Sequence, residues 1–387
     1  MLKGIIDFSL RNKFIVLLGT IVLVLVGVYS VKNIPLDALP DQSDVQVIVY
    51  TEWPGQAPQI VQDQVTYPLT TKMLSVPKAK VVRGYSFYGY SFVYVIFQDG
   101  TDPYWARTRV LEYLSGLSGR LPQGVAPSLG PDATGVGWAF MYSINSTNRD
   151  LAQLRSMQDW YLRYQLASVE GVSEVASVGG FVKQYQVTVD PTKLRAYNLS
   201  ISEVAMAVKK SNGEVGGRSI ELSEKEFILR VRGYITGLED LKKVAVGVGD
   251  GGVPILLSQV ANVQLGPDMR RGIAELNGEG ETVGGVVVVR YGANARQVIL
   301  DVKQRLDDAM KGLPADVHYS VAYDRTALIG RAVKTLEEKL IEESIVVALV
   351  CIAFLMHLRS AFVAILILPI AVLMSFSVMY GQGISSN

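Results

Sequence analysis

The 387-residue chain holds one cysteine and two histidines. With Cys351 as its only thiol it can form no internal disulfide, so each domain must be stable on packed core alone. His318 and His357 are too few for a histidine-based zinc or catalytic centre. No G-x-x-x-x-G-K-[ST] loop, H-E-x-x-H pair or G-x-S-x-G elbow occurs. These absences exclude P-loop nucleotide hydrolysis, zincin chemistry and the α/β-hydrolase nucleophile. Gly247–Gly252 does match G-x-G-x-x-G, but the strand-like Val253–Leu257 follows it instead of a helix, so it reads as a hairpin turn. Charge of one sign is lacking too. Lys and Arg total 37 against 36 Asp and Glu, for a net charge of +1. The clustered basic footprint of a nucleic-acid partner is therefore missing, and no nucleophile–base set supports an enzyme.

What the chain has in excess is apolar surface, with 49% hydrophobic residues. Uncharged runs at Phe14–Val31, Ser344–Leu355 and Ala361–Tyr380 approach the length that crosses a bilayer. They predict three membrane spans, within 1–33, 330–358 and 360–381. The first run exceeds the usual signal-peptide core and no small-x-small site stands out after Ser30, which favours an uncleaved anchor. Lys3, Arg11 and Lys13 precede the first span, and His357 and Arg359 lie between the second and third. Both marked ends are expected in the cytoplasm, with the large intervening region outside.

That region alternates strand and helix signals in an order that can be followed twice. Val45, Val47 and Val49 have period two, and Val61, Val65 and Leu69 have period four. Two strand-like runs, Lys80–Tyr88 and Ser91–Phe97, split at Gly89. A helix then starts at Pro103 behind the N-cap Asp102, with Val110, Leu114, Leu117 and Leu121 on one face. The pattern restarts with a strand at Trp138–Ile144 and a helix capped by Asp150, whose expected apolar stripe is Leu154, Met157, Tyr161 and Tyr164. A strand at Val172–Val178 follows. Its second half comes only at Val283–Val321, with a helix capped by Asn294. The predicted class is an α+β membrane protein with two ferredoxin-like βαββαβ units, the second interrupted by an α+β insertion. In that insertion Ser200 and Glu203 form a capping box, and the Gly-rich Asn212–Arg218 reads as a flexible arm.

Two constellations could bind cations. Asp37, Asp41 and Asp44 offer oxygen ligands to a hard ion, but interleaved with Pro35 and Pro40 they read as turn and cap residues. Cys351, Met356, Met374 and Met379 are soft donors in apolar helices, suited to Cu(I). Methionine in such helices is more often plain packing. The apolar runs contain no carboxylate that could carry a proton through the membrane.

Several motifs resemble the heavy-metal efflux branch of the resistance-nodulation-division (RND) transporters, and within it the CusA/SilA-like copper/silver permeases. They are Asp37-Ala-Leu-Pro-Asp-Gln-Ser-Asp-Val-Gln-Val47, Pro54-Gly-Gln-Ala-Pro58, Gln64-Val-Thr-Tyr-Pro-Leu-Thr-Thr71, Tyr94-Val-Ile-Phe-Gln-Asp-Gly-Thr-Asp102, Leu129-Gly-Pro-Asp-Ala-Thr-Gly-Val-Gly-Trp138 and Met269-Arg-Arg-Gly-Ile-Ala-Glu-Leu-Asn-Gly278. Asp132-Ala-Thr and Ser43-Asp44 look more like the monovalent-ion pumps than the zinc/cobalt/cadmium ones. The resemblance implies a secondary active transporter and not an enzyme, an inner-membrane proton antiporter without a cofactor that carries Cu(I) or Ag(I). It implies a multi-pass homotrimer with a periplasmic adaptor and an outer-membrane channel as partners. Porter subdomains would occupy Asp44–Pro131 and Asp132–Phe181 with Met269–Tyr323, and a docking subdomain Val182–Asp268. The docking arm, at Asn212, Gly213, Gly216, Gly217 and Arg218, is expected to contact a neighbouring subunit. Family members place their methionine triad and intramembrane carboxylates beyond the position of Asn387, so none of those residues is carried over and this chain alone is expected to be inactive. A membrane-anchored periplasmic binding or assembly protein is the competing class, disfavoured by the helix pair Ile341–Tyr380, which a simple anchor does not need.

Overall fold

The computed structural model describes residues 2–34, 37, 39–117, 119–222, 224–231, 233–270, 272–355 and 358–384. It resolves into two units. One comprises Met1–Thr147, Gln158–Val178 and Gly284–Asn387, the other Asn148–Met157 and Gly179–Val283.

The first unit opens with helices α1 (Leu2–Arg11) and α2 (Lys13–Asn33) and then forms strand β1 (Gln46–Glu52). β2 (Ala79–Phe87), β3 (Tyr90–Phe97) and β4 (Pro127–Leu129) complete a sheet of order β2-β3-β1-β4, antiparallel throughout. Alternation along β1 and β3 turns Val47, Val49, Val93 and Val95 inward. They meet Val61, Val65, Leu69 and Met73, four residues apart, and Val110 and Leu114 of α3 (Pro103–Ser115). Each such side chain contributes about 1.5–3 kcal/mol by leaving water. Asp102 caps α3 by accepting from Trp105 N at 2.7 Å. The helix over the sheet is interrupted by a π turn at Gln62–Thr66, where buried Thr66 hydrogen-bonds Ser86 and Ser91, each at 2.8 Å.

β5 (Trp138–Asn145), β6 (Val172–Gly179), β13 (Val283–Val289) and β14 (His318–Asp324) make the second sheet, in the order β14-β5-β13-β6. Its helix α4 (Ala295–Met310) is capped by Asn294 and buries Val298, Ile299, Val302 and Leu306. The other helical stretch departs from the expected stripe. A π turn at Gln158–Leu162 widens the spacing to four, and the buried line is Leu154, Gln158, Leu162 and Leu166, while Tyr164 is exposed. Gln158 accepts from the buried Tyr142 hydroxyl at 2.8 Å, and burial pushes the Tyr142 phenol well above its ordinary value.

The second unit has its own core, built around Leu194, Val204, Leu241, Val246, Leu257 and Val263. Its pairs are β7 (Lys183–Val189) with β12 (Ala261–Pro267), β8 (Val215–Leu222) with β9 (Lys225–Val231), and β10 (Ala245–Val248) with β11 (Pro254–Leu256). The Ser200–Glu203 capping box is formed, and the G-x-G-x-x-G stretch is the turn joining β10 to β11.

Of the three expected spans, one helix among the described residues, α2, is long and apolar enough to cross a membrane, with mean hydropathy 2.7. The other two apolar runs lie in α5 (Arg325–Leu355), whose first half is charged, and α6 (Leu358–Gly381), where Ile365–Gly381 is a shorter apolar stretch. Met356 and His357, between α5 and α6, lie outside the described residues. α6 packs against α2. A Cβ on Gly27 would stand 2.6 Å from Leu373 Cβ, and the Tyr29 and Tyr380 rings meet edge to face at 5.9 Å. A small residue at the crossing is what lets the two backbones approach.

Candidate functional site

The ends of the two sheets frame a cleft of about 580 Å³, all within the first unit. Six segments converge on it: the linker after α2, the start of α3, the crossover from β4 to β5, the turn after β13, the first residue of α5, and Gly383 just beyond α6. The motif residues Asp41, Ser43, Asp44, Asp132 and Thr134 line it. Backbone bonds place the turns, with Val289 N donating to Gly137 O at 2.8 Å and Tyr291 N to Asp132 O at 2.9 Å.

Asp132 is the hub of one side. It accepts from Ser173 Oγ at 2.5 Å, pairs with Arg290 Nε at 2.8 Å, and takes a long contact from Tyr104 Oη at 3.5 Å. Burial and then the Asp132 charge raise the Tyr104 phenol above its ordinary value. Asp41, on the linker, is the second element. Burial alone would raise its carboxyl, but hydrogen bonds from Ser43 and Thr134, with the charge of Arg325, pull it below the usual carboxylate range. Ser43 Oγ donates to Asp41 at 2.5 Å and accepts from Gly135 N at 3.3 Å, tying the linker to the crossover.

Arg325 is the third element. Its side chain is 4% exposed and donates to Asp37 at 3.0 Å, to Trp138 O at 2.7 Å and to Val136 O. Among the described residues its buried Nε has no acceptor. Arg290, Arg325 and Tyr104 carry no local sequence signal, because their partners lie tens to hundreds of residues away.

The sequence candidates fall elsewhere. Met374 is exposed and Met379 half-buried on α6, five residues apart, which puts them about 140° apart around the helix. Cys351 lies on α5 with its side chain outside the described residues, as Met356 is entirely. Among the described residues no group of three His, Cys, Asp or Glu could hold a metal ion. In the second unit Asn212 accepts from Ile235 N at 3.1 Å. Gly213 precedes β8, and Gly216, Gly217 and Arg218 lie in it, so the expected arm is a β-hairpin. Its exposed apolar residues are Ile220, Phe227 and Ile228, the last 81% exposed.

The chain belongs to the AcrB/AcrD/AcrF family, whose model matches residues 5–387. It is 55% identical to the cation efflux system protein CusA of Escherichia coli K12 and 53% identical to the putative cation efflux system protein SilA of Salmonella typhimurium, in each case over all of this chain and 37% of the relative. The crystal structure of a heavy metal efflux pump superposes with a TM-score of 0.90 at 32% identity, over 99% of this chain and 38% of that one. The chain thus spans little more than a third of the relatives it matches, and it is an RND heavy-metal efflux sequence of the CusA/SilA type.

Proposed function

We propose that these residues form the N-terminal part of an inner-membrane, multi-pass, proton-driven pump that exports Cu(I) or Ag(I). The observation that carries the reading is the cleft. Residues Ser43, Asp44, Asp132 and Thr134, which bear the resemblance to the monovalent-ion branch, line it, and CusA and SilA match the whole chain. In this reading the two sheets are porter subdomains that widen and narrow the cleft, and α2, α5 and α6 are three spans. Residues 182–268 are a docking subdomain whose β8–β9 hairpin, with Asn212, Gly213, Gly216, Gly217 and Arg218, contacts the next subunit of a trimer. The partners are a periplasmic adaptor and an outer-membrane channel.

The test is a chimera in which residues 1–387 replace the matching stretch of Escherichia coli CusA in a copper-sensitive host. Copper and silver tolerance should return. A chimera that protects against zinc or cobalt and not copper or silver would overturn the choice of ion. Reporter fusions after Pro122 and Arg359 should read outside and inside the cytoplasm. The 387 residues alone should give no tolerance, because their apolar runs hold no carboxylate to carry a proton.

A further inference from the structure

We propose that the Arg325–Asp37 pair is a mechanical strut that makes the shape of the cleft follow the packing of the apolar helices. The pair closes a ring of elements within the first unit. Asp37 comes four residues after the end of α2, a reach of at most about 14 Å. Arg325 is the first residue of α5, a continuous helix of 31 residues and about 46 Å. α5 packs against α6, and α6 packs against α2 through Gly27 on Leu373 and Tyr29 on Tyr380. The route from α2 through α6 and α5 therefore returns to its start through this ion pair, alongside the Ser43–Gly135 bond from the linker to the crossover.

The same guanidinium reaches into the cleft. Its donors hold the carbonyls of Val136 and Trp138, in the crossover that begins β5, and Val136 lines the cavity. Gly137 between them has no slack, since a Cβ there would stand 3.0 Å from both Ala133 Cβ and Val288 Cγ1. A tilt of α5 relative to α2 loads the Arg325–Asp37 bond and the crossover that the guanidinium holds, in addition to the β14–β5 pairing at Asp324 and Phe140. The crossover carries Asp132, which is bound to Ser173 of β6 and to Arg290 in the turn after β13, so the movement reaches those elements too. Three of the five guanidinium N–H groups are engaged by these acceptors. A planar fork holding three acceptors at once is a geometry that lysine cannot reproduce. The coupling is a property of this chain's own packing and stands whatever ion the pump carries.

The test perturbs the helices and reads the cleft. In a Cys351→Ser background the 387-residue chain is spin-labelled in lipid nanodiscs at Leu111→Cys on α3 and Arg296→Cys on α4, and in a second sample at Leu18→Cys on α2 and Leu366→Cys on α6. Gly27→Leu should lengthen the α2–α6 distance by about 2 Å, towards the usual spacing of helix axes, and shift the cleft distance by a similar amount. With Arg325→Ala, or with Asp37→Asn as the milder cut, the α2–α6 change should persist while the cleft shift falls to less than half. Arg325→Lys should give an intermediate shift. A cleft shift of equal size with and without Arg325 overturns the proposal. So does an unmoved cleft when the helices have separated, or a Gly27→Leu that leaves the α2–α6 distance unchanged. Variants that merely lower the thermal transition while keeping the shift assign Arg325 a structural role only, and the proposal fails.

Discussion

Gly285→Ala tests the packing that holds the second sheet to its helices. β13 is buried along its whole length, and a Cβ on Gly285 would lie 2.6 Å from both Cζ and Oη of Tyr142. Real Cβ contacts are not that short, so the ring must move by nearly an ångström. Tyr142 is 2% exposed and donates to Gln158, whose Nε2 has no partner among the described residues. Displacing the ring strains a full core, at about 1–3 kcal/mol. Breaking the hydroxyl–amide bond leaves a buried amide with no partner, at about another 1–3 kcal/mol. Restricting the unfolded backbone returns about 0.4–1 kcal/mol. The net loss is about 1–5 kcal/mol, a fall of several degrees in thermal midpoint, read by tryptophan fluorescence of the solubilised chain. In a Tyr142→Leu background the same substitution should be nearly neutral, a coupling of about 1 kcal/mol or more. Equal effects in both backgrounds, or none in the native one, would refute the contact.

Acid should weaken the first unit through Asp41 and Asp324, whose carboxyls sit below their ordinary 3.8 because hydrogen bonds outweigh burial. The unfolded chain binds their protons first, so this stability is present above pH 3.8 and is lost as pH falls through the lower folded values. Asp41→Asn should flatten that limb of an acid-unfolding curve. Tyr319 is raised to about 12 by its hydrogen bond to Asp307 and then by burial, so its contribution is full below pH 10 and lost as pH rises through about 12. A phenolate absorbance titration should lose this late step in Tyr319→Phe. Removing the α3 cap with Asp102→Ala should lower stability by about 1 kcal/mol, measured by thermal unfolding, with Asp102→Ser recovering most of it.

Caps and periodicities could be read directly because each depends on neighbours within one helical turn or one strand. Asp102, Asn294 and the Ser200–Glu203 box are in place, and Val61, Val65 and Leu69 are fully buried. The stripe after Asp150 was misread because a π turn changes the period, and nothing local marks a π turn. The motifs Ser43-Asp44 and Asp132-Ala-Thr pointed to a family, yet their common place in one cleft depends on strand order. The sequence by itself determined the apolar runs, the helix caps, the strand alternation and the family. The tertiary structure alone decided that Asp37 meets Arg325 across 288 residues, that Arg290 meets Asp132, and that Gly27 lies against Leu373. Local patterns follow from the fixed geometry of a single element. An ion pair or a close helix crossing follows from where two elements stop relative to each other, and only the packed core sets that.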